Sequence, residues 1–332
     1  IQDRVGALHH LDIPWRPADM TQRIGRMLRQ GNMNDRVFMY RYITEGSFDA
    51  YSWQLLETKA RFICDLLSGS ITERSASDIE DVVLDYAEIK RLSDTYGIEL
   101  WSFHLPFAPF SELDLSRPDL CDHTVAYFKG LIREGSAIGI KRFVVHPSGE
   151  PVWDDARKVQ LECSKRSLAC LAEYAKSFNG IICIENLPRT CIGRNSEEML
   201  ELLSAHEDLR TCFDTNHLLS LEKPHEYIRK IGNRIVTLHV SDYDFLDERH
   251  WLPGEGDVDW QELYQALCEI GYNGVWMYEL YLKSPDSIVR ERELTRSDFV
   301  INAREIFEGK SPTVLGTRVK GLLDWIERYG KS

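Results

Sequence analysis

Long apolar runs are absent from this sequence: nowhere do the roughly 18 consecutive apolar residues of a membrane span occur, and nothing at its start reads as a signal peptide. With charged residues at 28% and a mean hydropathy of -0.33, the expectation is a cytoplasmic protein with no membrane partner. The eight cysteines form no CxxC pair. Several stand inside apolar runs such as Gly180-Ile-Ile-Cys-Ile-Glu185 and read as buried thiols in a reducing compartment. Positive charge is short as well, with 40 Lys and Arg against 53 Asp and Glu and a net charge of -13. Affinity for phosphate backbones comes from clustered Lys and Arg, so a small neutral or weakly charged substrate fits better than nucleic acid. No GxxxxGK loop is present, and the nearest candidate cradle for a phosphate is the backbone around Gly254 and Gly256.

What is present changes character along the chain. Up to about Lys90 strand signals are few; Val82 to Tyr96 has a helical pattern, and an Arg- and Gln-rich segment runs through Gln22-Arg-Ile-Gly-Arg-Met-Leu-Arg-Gln-Gly-Asn32. After Gly97 short apolar strands alternate with helical stretches. They are expected over Ile98 to Phe103, Arg142 to Val145, Ile181 to Ile184, Thr211 to Phe213, Ile235 to Leu238 and Val275 to Tyr278. That alternation marks repeated βα units around a parallel sheet, and the strand ends fall about 25 to 42 residues apart, near the ~30 per unit of an eightfold barrel.

Each expected strand ends on a residue able to bind metal or move a proton: His104, His146, Glu185, Asp214, His239 and Glu279. One such residue after an apolar strand is more often a hydrogen-bonded structural group than a ligand. Six in succession would leave costly unpaired charges at a barrel mouth unless a cation or substrate compensated them. The carboxyl ends of barrel strands, with the loops that follow, form the open face where chemistry occurs.

The local motifs are Phe213-Asp-Thr-Asn-His217, Leu238-His-Val-Ser-Asp242 and Pro253-Gly-Glu-Gly-Asp-Val-Asp-Trp260. Together they resemble the xylose isomerase-like barrel superfamily, within it the sugar phosphate isomerase/epimerase group, over roughly Glu88 to Glu308. The resemblance implies a (β/α)8 TIM barrel occupying residues 88–332. It makes Glu185, Asp214, His239 and Glu279 the ligands of one divalent cation, Mn²⁺, Mg²⁺, Co²⁺ or Zn²⁺. Isomerising a sugar removes a proton next to a carbonyl, and a cation gripping adjacent sugar oxygens stabilises the enediolate; Glu185 and Glu279 would exchange that proton as base and acid. His217 matches a position that contacts a substrate hydroxyl. His104, His146, His250 and Glu248 complete the substrate-facing group, with an ordered histidine in a polar pocket as the alternative for His104 and His146. The partner implied is a small sugar, free or phosphorylated.

A rival pattern exists in the same superfamily. The ligands of endonuclease IV, a three-zinc repair enzyme, can be laid over the same nine positions: His104, His146, Glu185, Asp214, His217, His239, Glu248, His250 and Glu279. Glu248 stands where that enzyme has an aspartate, and Trp251 where a second histidine is expected. The acidic balance also counts against DNA, leaving a metal-dependent phosphodiesterase as the alternative.

The first 87 residues resemble something else. His10-Leu-Asp-Ile-Pro-Trp-Arg-Pro17, the segment Gln22 to Asn32 and Tyr40-Arg-Tyr-Ile-Thr-Glu-Gly-Ser-Phe-Asp49 are similar to the last motif of Swi/Snf-like superfamily-two helicases. In such proteins the arginines matching Arg26 and Arg29 act on ATP held mainly by other parts. No Walker A loop accompanies them, so ATP hydrolysis by this segment is not expected. The reading is a mainly helical, helicase-derived fragment joined, by fusion or by an error of assembly, to a barrel without its first two strands. Exposed strand edges then favour a homo-oligomer, and a catalytically inactive remnant is the third reading.

Overall fold

A computed structural model describes residues 7–10, 38–41, 86–107 and 113–319. The chain separates into two compact units, Ile1–Asp85 and Tyr86–Ser332. In the first, β1 (Ala7–His10) pairs in parallel with β2 (Phe38–Arg41). A mainly helical reading does not hold for these eight residues, because runs of only four residues escape a search for periodicity although Phe38-Met-Tyr-Arg41 has strand-forming aromatics. The helicase-like motif around Arg26 and Arg29 lies outside the described residues.

The second unit repeats helix and strand: α1 (Tyr86–Tyr96), β3 (Ser102–His104), α2 (Cys121–Ala137), β4 (Arg142–Val145), α3 (Asp154–Lys176), β5 (Ile181–Glu185), α4 (Ser196–Leu203), β6 (Arg210–Asp214), α5 (Pro224–Ile231), β7 (Ile235–His239) and α6 (Trp260–Glu269). The five strands lie in the order β3-β4-β5-β6-β7, all parallel. They form a curled sheet, half of a TIM barrel. A small antiparallel pair, β8 (Ile288–Arg290) with β9 (Gly316–Arg318), flanks α7 (Arg296–Phe307).

Alternation along these strands separates two kinds of surface. Phe143, Val145, Ile182, Ile184, Phe213 and Leu238 join the large apolar core that includes Leu168, Leu171, Tyr227 and Leu263 of the helices. The intervening positions Val144, Cys183 and Cys212 form a separate small cluster, and one strand step further along β5 and β6 come Glu185 and Asp214. The same alternation therefore packs the helices and gathers the polar strand ends.

β7 would break this phase without an irregularity. Thr211 pairs with Ile235 but Cys212 pairs with Thr237, so Val236 is an extra residue, and Asp214 comes to lie opposite His239. Bulges of this kind commonly re-aim a side chain beside a functional site. The sixth expected strand, Val275 to Tyr278, is reduced to one parallel bridge between Val240 and Tyr278. The Val240 N–H donates to Met277 O at 2.8 Å and the Glu279 N–H to Val240 O at 3.0 Å. Those two bonds fix Glu279 beside β7, although they are too few for a strand.

The cysteines among the described residues are all free thiols, and no helix there is long and apolar enough to cross a membrane. The Gly-rich loop after β7 does not await a phosphate. Its amides serve the buried Asp242 carboxylate, which accepts from Gly254 N at 2.7 Å, Val258 N at 3.2 Å and Trp260 Nε1 at 2.8 Å. A Cβ on Gly256 would collide with the Asp242 carboxylate, so the glycine is needed for this internal contact. Removing the acceptor leaves several donors unsatisfied at about 1–3 kcal/mol each. Asp242→Ala is therefore expected to lower unfolding free energy by about 4 kcal/mol in denaturant titration, and a loss under about 1 kcal/mol would contradict the cradle.

Candidate metal centre

The site begins with Glu185, the last residue of β5, only 1% exposed. Its Oε1 lies 2.8 Å from His239 Nδ1, at the end of β7. Its Oε2 lies 2.9 Å from His104 Nε2 and 3.3 Å from His146 Nε2, from the ends of β3 and β4. Glu279 approaches from the far side of β7, with Oε2 3.0 Å from His239 Nδ1. Asp214 closes the group from β6.

Asp214 is held by backbone rather than by charge. Its N–H donates to Asn186 Oδ1 at 2.8 Å and its carbonyl accepts from Asn186 Nδ2 at 2.9 Å, while Oδ1 accepts the Asn216 N–H at 2.6 Å. The other carboxylate oxygen, Oδ2, is buried without a hydrogen-bond partner, and Glu279 Oε2, also buried, has only the close approach of the His239 imidazole, which is poorly aligned for a hydrogen bond. Buried carboxylate oxygens are rarely left so. One donor atom each from Glu185, Asp214, His239 and Glu279 lies within 4.8 Å of the others. Three carboxylates and an imidazole with oxygens left over suit a divalent cation, so the residues fit the metal their pattern implies.

The histidines strengthen the fit. His104 Nδ1 lies 2.9 Å from Leu105 O, His217 Nδ1 2.8 Å from Asn186 O and His250 Nδ1 3.1 Å from Glu279 O. A carbonyl only accepts, so each Nδ1 carries a proton and the other ring nitrogen, Nε2, is the one left to meet a ligand. At His104 Nε2 lies 2.9 Å from Glu185 Oε2, an approach that needs a proton or a cation between the two.

Without a cation, protons take that part. Burial alone would raise Glu185, but His239, His104 and His146 outweigh it and hold its carboxyl well below the usual range. Burial first, then the Glu279 and Glu185 carboxylates, push Asp214 well above the usual range. Burial raises Glu279 too, yet the His239 contact wins and brings it down to about 2. At His239 burial opposes charge, and the Cys212 sulfur and Glu185 override it and raise the imidazole well above its ordinary value. Cys212 is itself pushed up to about 12 by burial; it is a neutral thiol near neutral pH, and the charge acting on His239 is that of Glu185.

A cavity of about 910 Å³ opens onto this cluster, and its lining includes His104, His146, His217, Glu248 and His250. All nine residues singled out in the sequence thus converge, the four expected ligands at the inner end and the five others around them. Asn186, which ties Asp214 to His217, was not singled out, although it directly follows Glu185. Arg189 and Glu150, also in the lining, carry no pattern in the sequence. His206, away from the site, pairs with Glu173 at 3.3 Å.

Comparison with known proteins decides the family. The model of the xylose isomerase-like TIM barrel family matches residues 70–297. The chain belongs to the xylose isomerase-like TIM barrel family. Among relatives of this barrel, a D-psicose 3-epimerase of Ruminiclostridium cellulolyticum is 23% identical over 256 residues, covering 73% of this chain and 80% of the epimerase. The crystal structure of a D-tagatose 3-epimerase-like protein superposes with a TM-score of 0.53 at 27% identity, covering 58% of this chain and 74% of the other. A third similarity is short: 76 residues are 38% identical to the defense against restriction protein B of Escherichia phage P1, 23% of this chain and 3% of the phage protein.

Metal binding should be linked to pH. In the metal-free protein Asp214 and His239 are both shifted toward their protonated forms, Asp214 by burial and by the Glu279 and Glu185 carboxylates, His239 by Cys212 and Glu185 against burial. A cation competes with those protons, so affinity rises with pH, and calorimetry in buffers of differing ionisation enthalpy should show protons released on binding. Affinity for Mn²⁺ unchanged between about pH 6 and 8 would exclude these two residues as ligands.

Proposed function

We propose that the barrel unit is a divalent-metal-dependent sugar isomerase or epimerase that moves a proton on a carbon next to a carbonyl. The observation that carries this reading is the pair of carboxylates, Glu185 and Glu279, meeting at His239 on the floor of an open cavity. The named sugar epimerases among the relatives support it. Glu185, Asp214, His239 and Glu279 would hold the cation, which supplies charge to neutralise oxygens of the substrate as negative charge develops there. Glu185, kept ionised by three imidazoles, accepts the carbon-bound proton; the electron pair of the broken C–H bond passes to the adjacent carbonyl oxygen. Return of the proton from the same carboxylate to the former carbonyl carbon, with the hydroxyl proton passing from one oxygen of the enediolate to the other, isomerises the sugar. Delivery from the opposite face by Glu279, which must first take up a proton against the His239 contact that holds its carboxyl low, inverts the centre. His217, with Nδ1 committed to Asn186, offers Nε2 to a sugar hydroxyl, and His104, His146, His250 and Glu248 line the space the sugar would fill.

A second reading, a phosphodiesterase with more than one metal, is favoured by one feature: His104, His146 and Glu185 form another group of donor atoms within 4.8 Å. About three zinc ions per chain in elemental mass spectrometry would select it, one ion the isomerase, and none an inactive remnant.

Residues 1–87 we read as a separate, helicase-derived unit without its own catalysis. The support is the likeness of Gln22 to Asn32, together with the parallel pairing of β1 and β2. A cytoplasmic location and a homo-oligomer complete the reading. Glu185→Gln should lower uptake of solvent deuterium into ketohexoses or ketopentoses by about a thousandfold, with circular dichroism unchanged and metal content measured on the same sample. Arg26→Ala should leave the exchange rate unaltered, and a variant that lost it would show that the partition of the chain is wrong.

A further inference from the structure

The mouth of the cavity is built from charges that the inner cluster does not use. Arg189, in the loop after β5, has φ at 49°, a left-handed conformation a bulky side chain adopts only when its surroundings hold it there. Its guanidinium donates to Glu150 Oε2 at 2.8 Å and Oε1 at 3.0 Å, in the loop after β4. On the other side it donates to Asp247 Oδ1 at 2.9 Å and lies 2.8 Å from Glu248 Oε1, both in the loop after β7. One cation therefore serves three carboxylates, and the network keeps an excess of two negative charges. Contact with Arg189 outweighs burial and keeps the Glu150 carboxyl below its usual range. Glu150 and Glu248 line the cavity, and Arg189 is the one lysine or arginine among its described lining residues.

Elsewhere in the described part of the unit, three clusters of backbone amides are occupied by the protein's own carboxylates. Asp242 fills the loop of Gly254 and Val258. Glu198 accepts the Gly193 N–H at 3.0 Å beside Arg157, and Glu222 accepts the Ser196 N–H at 2.9 Å at the start of α4. A phosphate group reaching the mouth would meet surplus negative charge and a guanidinium already engaged by three carboxylates.

We infer that the Arg189 network is a charge filter and that the substrate is a sugar without a phosphate or other anionic group. This rests on the isomerase reading of the same cavity and narrows its substrate class. Two surplus charges acting on a phosphate dianion at several ångströms, in a screened and mostly aqueous setting, correspond to discrimination of about tenfold or more. A mere staple between loops would hold the mouth together without any preference among sugars of different charge.

The test compares D-psicose with its 6-phosphate on the full chain loaded with Mn²⁺, by deuterium uptake and, separately, by calorimetric binding. The free sugar should have kcat/KM and affinity at least about tenfold higher, with the ratio narrowing severalfold in about 0.5 M salt. Asp247→Asn, which removes one surplus charge, should narrow the ratio in the same direction; salt dependence of the unaltered protein answers the question if that variant does not fold. Equal or tighter binding of the phosphate, or a ratio that salt does not move, would overturn the filter while leaving proton exchange intact. If neither sugar exchanges deuterium yet the free sugar binds better, the isomerase reading falls and the filter stands. If neither binds, both fall.

Discussion

The whole centre depends on the burial of one negative charge. Glu185 is almost completely removed from solvent, a position that is strongly unfavourable for a lone carboxylate. The fold answers with three imidazoles from three other strands, His104, His146 and His239, each within 3.3 Å. None of the three is close to Glu185 in sequence, so the charge is tolerable only after the sheet has curled. Asn186, the next residue, then uses its side-chain amide to fix Asp214 and its carbonyl to fix His217. Site and sheet are thus one construction.

The layer beneath the centre sets its electrostatics. Val144, Cys183 and Cys212 are fully buried under it, which excludes water from one side and strengthens every interaction above. On the opposite side the cavity is open and lined by polar groups. Such a gradient, dry below and wet above, suits a site that must hold charged ligands firmly and still exchange its substrate with solvent.

Much of this was legible in the sequence because strand alternation and the placement of strand ends are local properties. The apolar cores of β4 to β7 and the residues that end or follow β3 to β7 could be read directly, and the structure gathers those residues at one end of the sheet. What failed was whatever depended on distant neighbours. Val275 to Tyr278 has a strand's composition, but a strand needs a partner along its length, and only Val240 supplies one. Gly254 and Gly256 read as an anion cradle, and so they are; their anion is Asp242, which no spacing rule connects to them. Arg189 joins loops that follow three different strands and left no trace in the pattern. The described strands β1 and β2 were missed because four residues carry too little periodicity.

The extra residue in β7 has a consequence for how this chain tolerates change. Val236 lets Thr211 and Cys212 of one strand meet Ile235 and Thr237 of the next, so a step that would otherwise put neighbouring strands out of phase is absorbed in a single place. Were Val236 instead paired regularly with Cys212, the composition of the chain would be untouched and the sheet could still close with ordinary hydrogen bonds. His239, however, would be carried one position along, level with Thr215 rather than Asp214, and turned toward the helices. Deleting Val236 has the opposite effect, since Ile235 and Thr237 would then follow Thr211 and Cys212 in step and His239 would stay opposite Asp214: the chain can lose the bulged residue and keep its centre, but it cannot keep the residue and lose the bulge.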